Sequence, residues 1–197
     1  MAQKRKTDQT KLIAQKTVKA ALELAGKSGW GRLTPQAVAR KARLKTETVT
    51  AVFPDKWALL KWVLKDISDK TDREVRSRLG DNWRDNLFEL MMTRIEIAAP
   101  DKKAFASLPG AFRHEPKALP QFARIFWRTM AHMLKTAQMP GGPCHPAYVA
   151  AFGILYVSVV DTFLKDDTGD HAKTMAALDQ RLGLFEQVVD FKVCPKN

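Results

Sequence analysis

Residues 33–49 read LTPQAVARKARLKTETV, and this stretch decides the fold of the chain. Thr34 is a good helix N-cap and Pro35 suits a first helical turn, so a short helix is predicted to begin there. A second short helix is predicted at about 45–52. Two short helices that cross at a tight turn form a helix-turn-helix, which is predicted over residues 33–56.

Small and apolar residues are spaced to pack these two helices together. Ala39 and Ala42 are small enough to let the helices approach closely. Asp55 follows a Phe-Pro pair that ends the second helix, and it is placed to cap the next one. The apolar core of the motif is predicted to consist of Val38, Ala39, Leu44 and Val49.

The other side of the second helix is predicted to be exposed, with its first turn facing base edges in a major groove. Thr34 and Lys56 flank the motif as expected phosphate contacts, one through a helix N-terminus and one through charge. The candidate DNA-contacting residues are Thr34, Arg43, Lys45, Thr46, Glu47, Thr50 and Lys56.

Positive charge is concentrated around the motif. The net charge is +12, and residues 1–56 hold 13 lysines and arginines against 4 acidic residues, whereas the other 141 residues hold 20 against 17. Such a basic block suits a DNA backbone or an anionic membrane surface, and its clustering favours double-stranded DNA.

The remaining chain shows helical periodicity and no sustained alternation of the kind that predicts strands. An all-α fold of about nine helices is therefore expected, with a DNA-binding domain at 1–56 and a ligand-binding and dimerisation domain at 57–197. The other helices are predicted at about 8–28, 55–78, 81–98, 102–113, 117–138, 146–165 and 171–190.

Motifs of enzymes are missing from the sequence, which contains no GxSxG, HExxH or glycine-rich phosphate loop. Asp166, Asp167 and Asp170 lack the closing glutamate of a calcium loop and fit a solvated turn. We expect no catalysis, no metal and no cofactor. Cys144 and Cys194 lie in different segments without metal-site spacing, which indicates a reducing compartment.

A cytoplasmic location without stable membrane insertion is expected. No apolar stretch follows the basic N-terminus, as a secretory signal would require. The longest apolar run, Ala147–Val160, is too short to span a bilayer.

Apolar and aromatic residues recur on helical faces of the second half. Ordinary core packing explains each of them, and an apolar ligand cavity between helices is the alternative. His132, Trp127 and Tyr148 are candidates for polar contacts to a ligand. The candidate pocket residues are Met91, Met92, Phe122, Phe126, Trp127, Met130, Met133, Phe152 and Tyr156.

A set of short motifs occurs in order over about 50 residues, namely Ala20-Ala21-Leu22, Gly29, Leu33-Thr34, Val38-Ala39, Ala42-x-Leu44, Thr48-Val49, Phe53-Pro54-Asp55-Lys56 and Leu59-Leu60. With these motifs the chain resembles the TetR family of transcriptional regulators. The resemblance implies an all-α homodimer whose first three helices bind operator DNA, whose later helices bind a small effector, and which usually acts as a repressor. Arg43 replaces the usual turn glycine, and Thr50 and Val52 replace the usual aromatic or histidine residues.

The last two predicted helices each carry an apolar stripe, and in a TetR-like protein they usually pair with their counterparts in a four-helix dimer interface. In isolation such stripes are typical of a core. The candidate interface residues are Tyr148, Leu155, Val159, Leu178, Leu182, Phe185 and Val189.

The second half also resembles the lipid-binding accessory proteins of ubiquinone biosynthesis, which share the TetR fold but hold an isoprenoid lipid. The similarity rests on residues 87–94, Trp127, Asp166-Asp167 and residues 173–179. It gives an alternative function that does not involve DNA. The basic N-terminal motif favours the regulator, although an anionic membrane could also use that charge.

Overall fold

The computed structural model describes residues 2–140 and 145–190, and the side chains of 9–140 and 145–189. These residues contain helices and no strand, so the all-α prediction is confirmed. The helices are α1 (Ala2–Ser28), α2 (Pro35–Ala42), α3 (Thr46–Val52), α4 (Lys56–Val75), α5 (Trp83–Ala98), α6 (Lys102–Ala106), α7 (Leu108–His114), α8 (Leu119–Thr136), α9 (His145–Lys165) and α10 (Ala172–Asp190).

One predicted helix is divided in two, which gives ten α-helices in the described ranges. The segment 102–113 breaks at Ser107, whose hydroxyl donates to the carbonyl of Ala104 at 2.7 Å. Pro109, two residues later, has no N–H with which to continue the hydrogen bonds of α6. The composition of residues 102–113 predicts one continuous helix. The break arises because the Ser107 hydroxyl bonds a carbonyl group of the preceding helix α6, which composition does not reveal.

Capping side chains fix the starts of the longer helices. Asp55 Oδ1 accepts from the backbone N–H groups of Trp57 and Ala58 at 2.8 and 2.7 Å, as the sequence predicted for the start of α4. Asn82 Oδ1 accepts from the N–H of Arg84 at 2.9 Å at the start of α5. Each bond satisfies a helical N–H group that would otherwise have no partner.

The chain divides into two compact units. The first comprises residues up to Asp66 together with Pro100–Leu119, and so includes the helix-turn-helix, α6 and α7. Trp30 is fully buried in this unit, and its backbone N–H donates to Ser107 Oγ at 2.9 Å. The sequence analysis assigned α6 and α7 to the second domain. The functional boundary at residue 56 stays a prediction.

The second unit contains Ile67–Ala99 and the chain after Leu119. Its core is built from apolar faces of α5, α8, α9 and α10. Helix α9 is long and apolar enough to cross a membrane by length and composition. Its buried side chains belong to this core, and 39% of its most apolar window is buried. The largest fully buried residues of the unit are Phe152, Leu87, Leu90, Met91, Met130, Leu134, Leu178, Leu182, Val75 and Val149.

Candidate nucleic-acid interface

Helix α2 begins at the cap that the sequence predicted. Thr34 Oγ1 accepts from the N–H of Ala37 at 3.2 Å, and Pro35 occupies the first turn. The hydroxyl is therefore engaged in capping, while Thr34 itself remains exposed. A phosphate near this helix start would be met by the N–H of Gln36 and the positive end of the helix dipole, because Pro35 has no N–H and those of Ala37 and Val38 are already bonded.

The turn between α2 and α3 is formed by Arg43 in a left-handed conformation, with φ of 57° and ψ of 44°. The N–H of Arg43 donates to the carbonyl of Arg40 at 3.3 Å, and the N–H of Leu44 donates to Ala39 at 2.9 Å. This is the hydrogen-bond pattern of a Schellman motif, a position that favours glycine. The arginine side chain is exposed, so the turn presents a cation to solvent.

Helix α3 presents a mixed face. Val49 is 2% exposed and packs inward, whereas Lys45, Glu47 and Ala51 are exposed. Thr50 Oγ1 donates to the carbonyl of Thr46 at 3.1 Å, so its hydroxyl is engaged with the helix backbone. Exposed hydrogen-bonding groups on this face therefore come mainly from Lys45 and Glu47, with the half-buried Thr46 beside them.

Lys56, the expected phosphate contact after α3, is instead held inside the first unit. Its Nζ lies 2.5 Å from Glu115 Oε1 and 3.1 Å from the carbonyl oxygen of Gly31. Only 14% of its side chain is exposed. The hydrogen bonds from Lys56 and from the Trp57 indole lower the pKa of Glu115, so this carboxylate is ionised at neutral pH.

A second group of contacts holds Glu115 in place. Trp57 Nε1 donates to Glu115 Oε2 at 2.7 Å, and the Trp57 ring stacks on Phe112 with centroids 5.0 Å apart. Sequence reasoning identified Lys56 and missed Glu115, Trp57 and Phe112. Glu115 is more than 50 residues away from Lys56 and Trp57 along the chain, so no local pattern could pair it with them.

The exposed cations around the motif differ in how they are paired. Lys41 forms an ion pair with Glu23 at 2.7 Å, and that interaction lowers the pKa of Glu23. In the described ranges no ion pair is formed by the other exposed cations on and around α2 and α3. These are Arg32, Arg40, Arg43 and Lys45. The surface around α2 and α3 therefore carries a net positive charge, which the exposed Glu47 only partly offsets.

In the second unit, the predicted pocket residues lie mostly in the core. Phe126 and Tyr156 are half-buried and meet edge to face, with centroids 5.7 Å apart. Trp127 is 45% exposed and so lies at the surface. The buried members are Met91, Met92, Phe122, Met130, Met133 and Phe152.

A cleft of about 450 Å³ lies at the end of α8 and the start of α9. Its lining differs from the nine candidate pocket residues but includes one of the candidates for a polar ligand contact. This residue is His132, and its Nε2 lies 2.8 Å from Asp72 Oδ2. The remaining lining residues are Ala131, Lys135, Gln138, Met139 and His145. The ligand site between helices stays a prediction.

The stripes predicted to form a dimer interface face the core of their own chain, which requires a correction at residue level. Val159, Leu178 and Leu182 have no exposed surface, so they cannot touch a partner. Tyr148, Leu155 and Phe185 are also buried, and Val189 packs against the same core. The large apolar residues that α9 and α10 expose are Ile154, Val157, Met175, Leu184 and Val188.

No protein-family model and no curated protein matches this sequence. Several solved structures match this chain in fold. A TetR transcriptional regulator from Nitrosomonas europaea aligns with a TM-score of 0.75 at 13% identity, covering 88% of this chain and 98% of that one. A transcriptional regulator from Rhodococcus sp. RHA1 aligns with a TM-score of 0.61 at 22% identity, covering 89% and 96%.

A TetR-family regulator from Pseudomonas syringae aligns with a TM-score of 0.55 at 19% identity and covers 89% of this chain. These alignments span nearly the whole chain, including both compact units. The chain therefore has the fold of TetR-family regulators, as the helix-turn-helix residues predicted.

Proposed function

We propose that this protein is a TetR-like transcriptional regulator that binds a pseudo-palindromic operator as a homodimer and represses until a small ligand binds. The observation that carries the proposal is the reading helix α3, which follows a left-handed turn and is surrounded by unpaired cations. Arg43 and Lys45 project from the turn and from the N-terminal end of the helix, where base edges and phosphates meet a recognition helix.

The charge of this face supports a nucleic-acid partner. Arg32, Arg40, Arg43 and Lys45 are exposed. Cations that neutralise phosphates release condensed counterions, so binding should weaken steeply as salt rises. The isoprenoid-binding alternative would use this charge only against an anionic membrane, and no feature of the described residues favours it over the regulator.

Fluorescence anisotropy with a labelled duplex from the region upstream of the gene tests the proposal. We expect specific binding that falls linearly on a log–log plot against salt concentration. Lys45→Ala and Thr46→Ala should each weaken specific binding by about 1–3 kcal/mol. Arg128→Ala, which removes an exposed cation on α8, is the matched control. Equal binding of specific and scrambled duplexes would exclude operator recognition.

The homodimer is proposed to form through the exposed apolar face of α9 and α10. Ile154 is 75% exposed and Leu184 is 58% exposed, and the neighbouring Val157 and Val188 extend the face on each helix. Large apolar residues grouped on two adjacent helices mark an interaction surface. The occupant we propose is a second copy, because a two-fold dimer places two reading helices on half-sites one DNA turn apart.

Sedimentation or light scattering checks this interface. Ile154→Glu and Leu184→Glu should convert the dimer to monomer, because each places an uncompensated charge inside the interface. Leu12→Glu, which alters an exposed leucine on α1, should leave the dimer intact. If the wild-type protein is a monomer at micromolar concentration, the proposed dimer is wrong. DNA binding by the surface around α3 is tested separately by anisotropy.

The ligand is proposed to bind in the second unit, among the predicted residues where α5, α8 and α9 carry methionine and aromatic side chains. Methionines adapt to irregular apolar shapes, which suits an effector site. The protein is proposed to act in the cytoplasm and without catalysis, as a regulator would.

A further inference from the structure

Arg94 on α5 is a buried cation with only neutral partners. The residue is 7% exposed. Its Nε donates to Tyr156 Oη at 2.9 Å, and its Nη1 donates to Ser68 Oγ at 2.9 Å. Among the described residues no carboxylate forms an ion pair with it. A guanidinium stays charged at all ordinary pH values, and a buried charge without a counter-charge is costly.

The acceptor of Arg94 is itself fixed by packing. The Tyr156 ring meets Phe126 edge to face at 5.7 Å. Gly153, one turn earlier on α9, makes this contact possible, because a Cβ atom there would lie 3.0 Å from the Phe126 ring. Met91 precedes Arg94 by one turn on α5 and is buried. The guanidinium thus lies in a fixed polar cluster beside apolar side chains.

Unused donors remain on the guanidinium. It carries five N–H groups, of which the two hydroxyl contacts use two, so three remain. A carboxylate can accept two parallel hydrogen bonds from such a fork. A single buried positive charge is balanced by a monoanion, whereas a phosphate monoester at neutral pH carries up to two negative charges.

We propose that Arg94 is the anion-binding residue of the ligand site, and that the ligand is an apolar molecule with one carboxylate. The carboxylate lies against the guanidinium, with Tyr156 and Ser68 holding the fork in position. The apolar part lies along the methionine and aromatic side chains of α5, α8 and α9. This inference rests on the proposed function, because it names the chemical class of the effector.

Isothermal titration of the full-length protein with matched pairs tests the inference. The pairs are decanoate with decan-1-ol, and 4-phenylbutyrate with 4-phenylbutan-1-ol. We expect at least one carboxylate to bind about tenfold or more tightly than its alcohol, because a hydrogen bond to a charged partner adds that much. Decyl phosphate should bind no more tightly than decanoate.

Substitutions distinguish binding of the carboxylate by the Arg94 guanidinium from nonspecific apolar binding. Arg94→Gln should remove the preference for the carboxylate while the alcohol binds as before, and Arg128→Gln, which removes an exposed arginine, should retain it. Tyr156→Phe keeps the ring and the cation, so it should weaken the preference without abolishing it. It serves as the second variant if Arg94→Gln does not fold.

The result that overturns the inference is a wild-type protein that binds no carboxylate more tightly than its alcohol, or an Arg94→Gln variant with the same preference as wild type. Anisotropy with the operator duplex, run in parallel, separates the two proposals. Operator binding without a carboxylate preference overturns only the inference about Arg94. A carboxylate preference without any DNA binding overturns only the regulator.

Discussion

Glu115 Oε1 lies 2.5 Å from Lys56 Nζ, at the first turn of the helix that follows the reading helix. The lysine that a TetR-like motif would offer to a phosphate is thus paired with an acid from the segment after α7. The same acid accepts from the Trp57 indole. A phosphate that approached Lys56 would compete with Glu115 for its ammonium group.

Removal of the charge on Glu115 should strengthen DNA binding. Glu115→Gln keeps an oxygen acceptor for Trp57 Nε1 but loses the ion pair, so Lys56 becomes available to phosphate. We expect binding on the order of two- to fivefold tighter, the value of an exposed ion pair. The log–log salt slope should steepen by about 0.9 for each subunit, or about 1.8 for the homodimer, since each Lys56 neutralises one more phosphate.

Anisotropy titrations at several salt concentrations measure both quantities. Glu74→Gln is the matched control, because Glu74 is exposed on α4 in the second unit and its loss changes net charge equally. If both variants tighten binding to the same degree, the effect is one of overall charge and Lys56 contacts no phosphate.

Replacement of Arg43 by glycine should stabilise the fold and weaken DNA binding. Arg43 has a φ of 57°, a left-handed conformation that costs a residue with a Cβ atom about 1–2 kcal/mol. Glycine removes this strain but makes the unfolded chain more flexible. We therefore expect the free energy of unfolding, measured in urea, to rise by about 0.5–1 kcal/mol. The loss of one cation should weaken binding to the operator.

Arg40→Gly serves as the comparison, because Arg40 lies within α2 and is also exposed. It removes an equal charge but should lower the free energy of unfolding by about 1 kcal/mol, since glycine is a poor helix former. A destabilised Arg43→Gly variant would mean that the left-handed turn carries no strain.

Local chemistry explains why so much of the fold could be predicted. Thr34 and Asp55 cap helices a few residues away, and Arg43 occupies a turn set by its immediate neighbours. These interactions span no more than five residues, so the sequence alone contains them. The periodicity of α9 and α10 likewise predicts which residues share a face.

Non-local partners explain what could not be predicted. Lys56 pairs with an acid 59 residues away, and Arg94 bonds Tyr156 62 residues away. Both α9 and α10 carry two apolar faces, and periodicity does not say which one faces the core. The stripe of Leu178 and Leu182 fills the core, and Leu184 is left on the surface. Tertiary packing alone decides between the two.

Alanine at Gly153 and at Gly183 should have opposite effects on stability. Both lie inside helices, where alanine is favoured by about 1 kcal/mol. A Cβ atom at Gly183 meets nothing within 4 Å in the single chain, so this variant should be stabilised. At Gly153 it would lie 3.0 Å from the Phe126 ring, and overpacking of this kind costs about 1–3 kcal/mol.

Urea unfolding of the two variants gives the difference directly, and we expect Gly153→Ala to be less stable than Gly183→Ala by at least about 1 kcal/mol. The shift of Phe126 should also disturb Tyr156, which it contacts. Equal stabilisation of both variants would mean that the ring moves away freely and does not hold Tyr156 in place.

Asp166 between α9 and α10 should make the stability of the second unit depend on pH. Its carboxylate accepts from the hydroxyl and the N–H of Thr174 at 2.7 and 2.8 Å, and from the N–H of Thr168 at 3.0 Å. A hydrogen bond from the Thr168 hydroxyl, followed by these three bonds, holds its pKa far below the usual 3.8. The sequence analysis placed this residue in a solvated turn, whereas it is 2% exposed.

A depressed pKa means that the ionised carboxylate stabilises the folded state at any pH above the unfolded value, and that this contribution is lost as pH falls below it. Asp166→Asn should therefore melt at a lower temperature than wild type at pH 7. This gap, the difference in melting temperature between the two proteins, should narrow from about pH 5 downward. Thermal melts followed by circular dichroism measure the gap, with the exposed Asp81→Asn as control. A gap that stays constant between neutral and acid pH would mean that the four hydrogen bonds do not depend on the charge of Asp166.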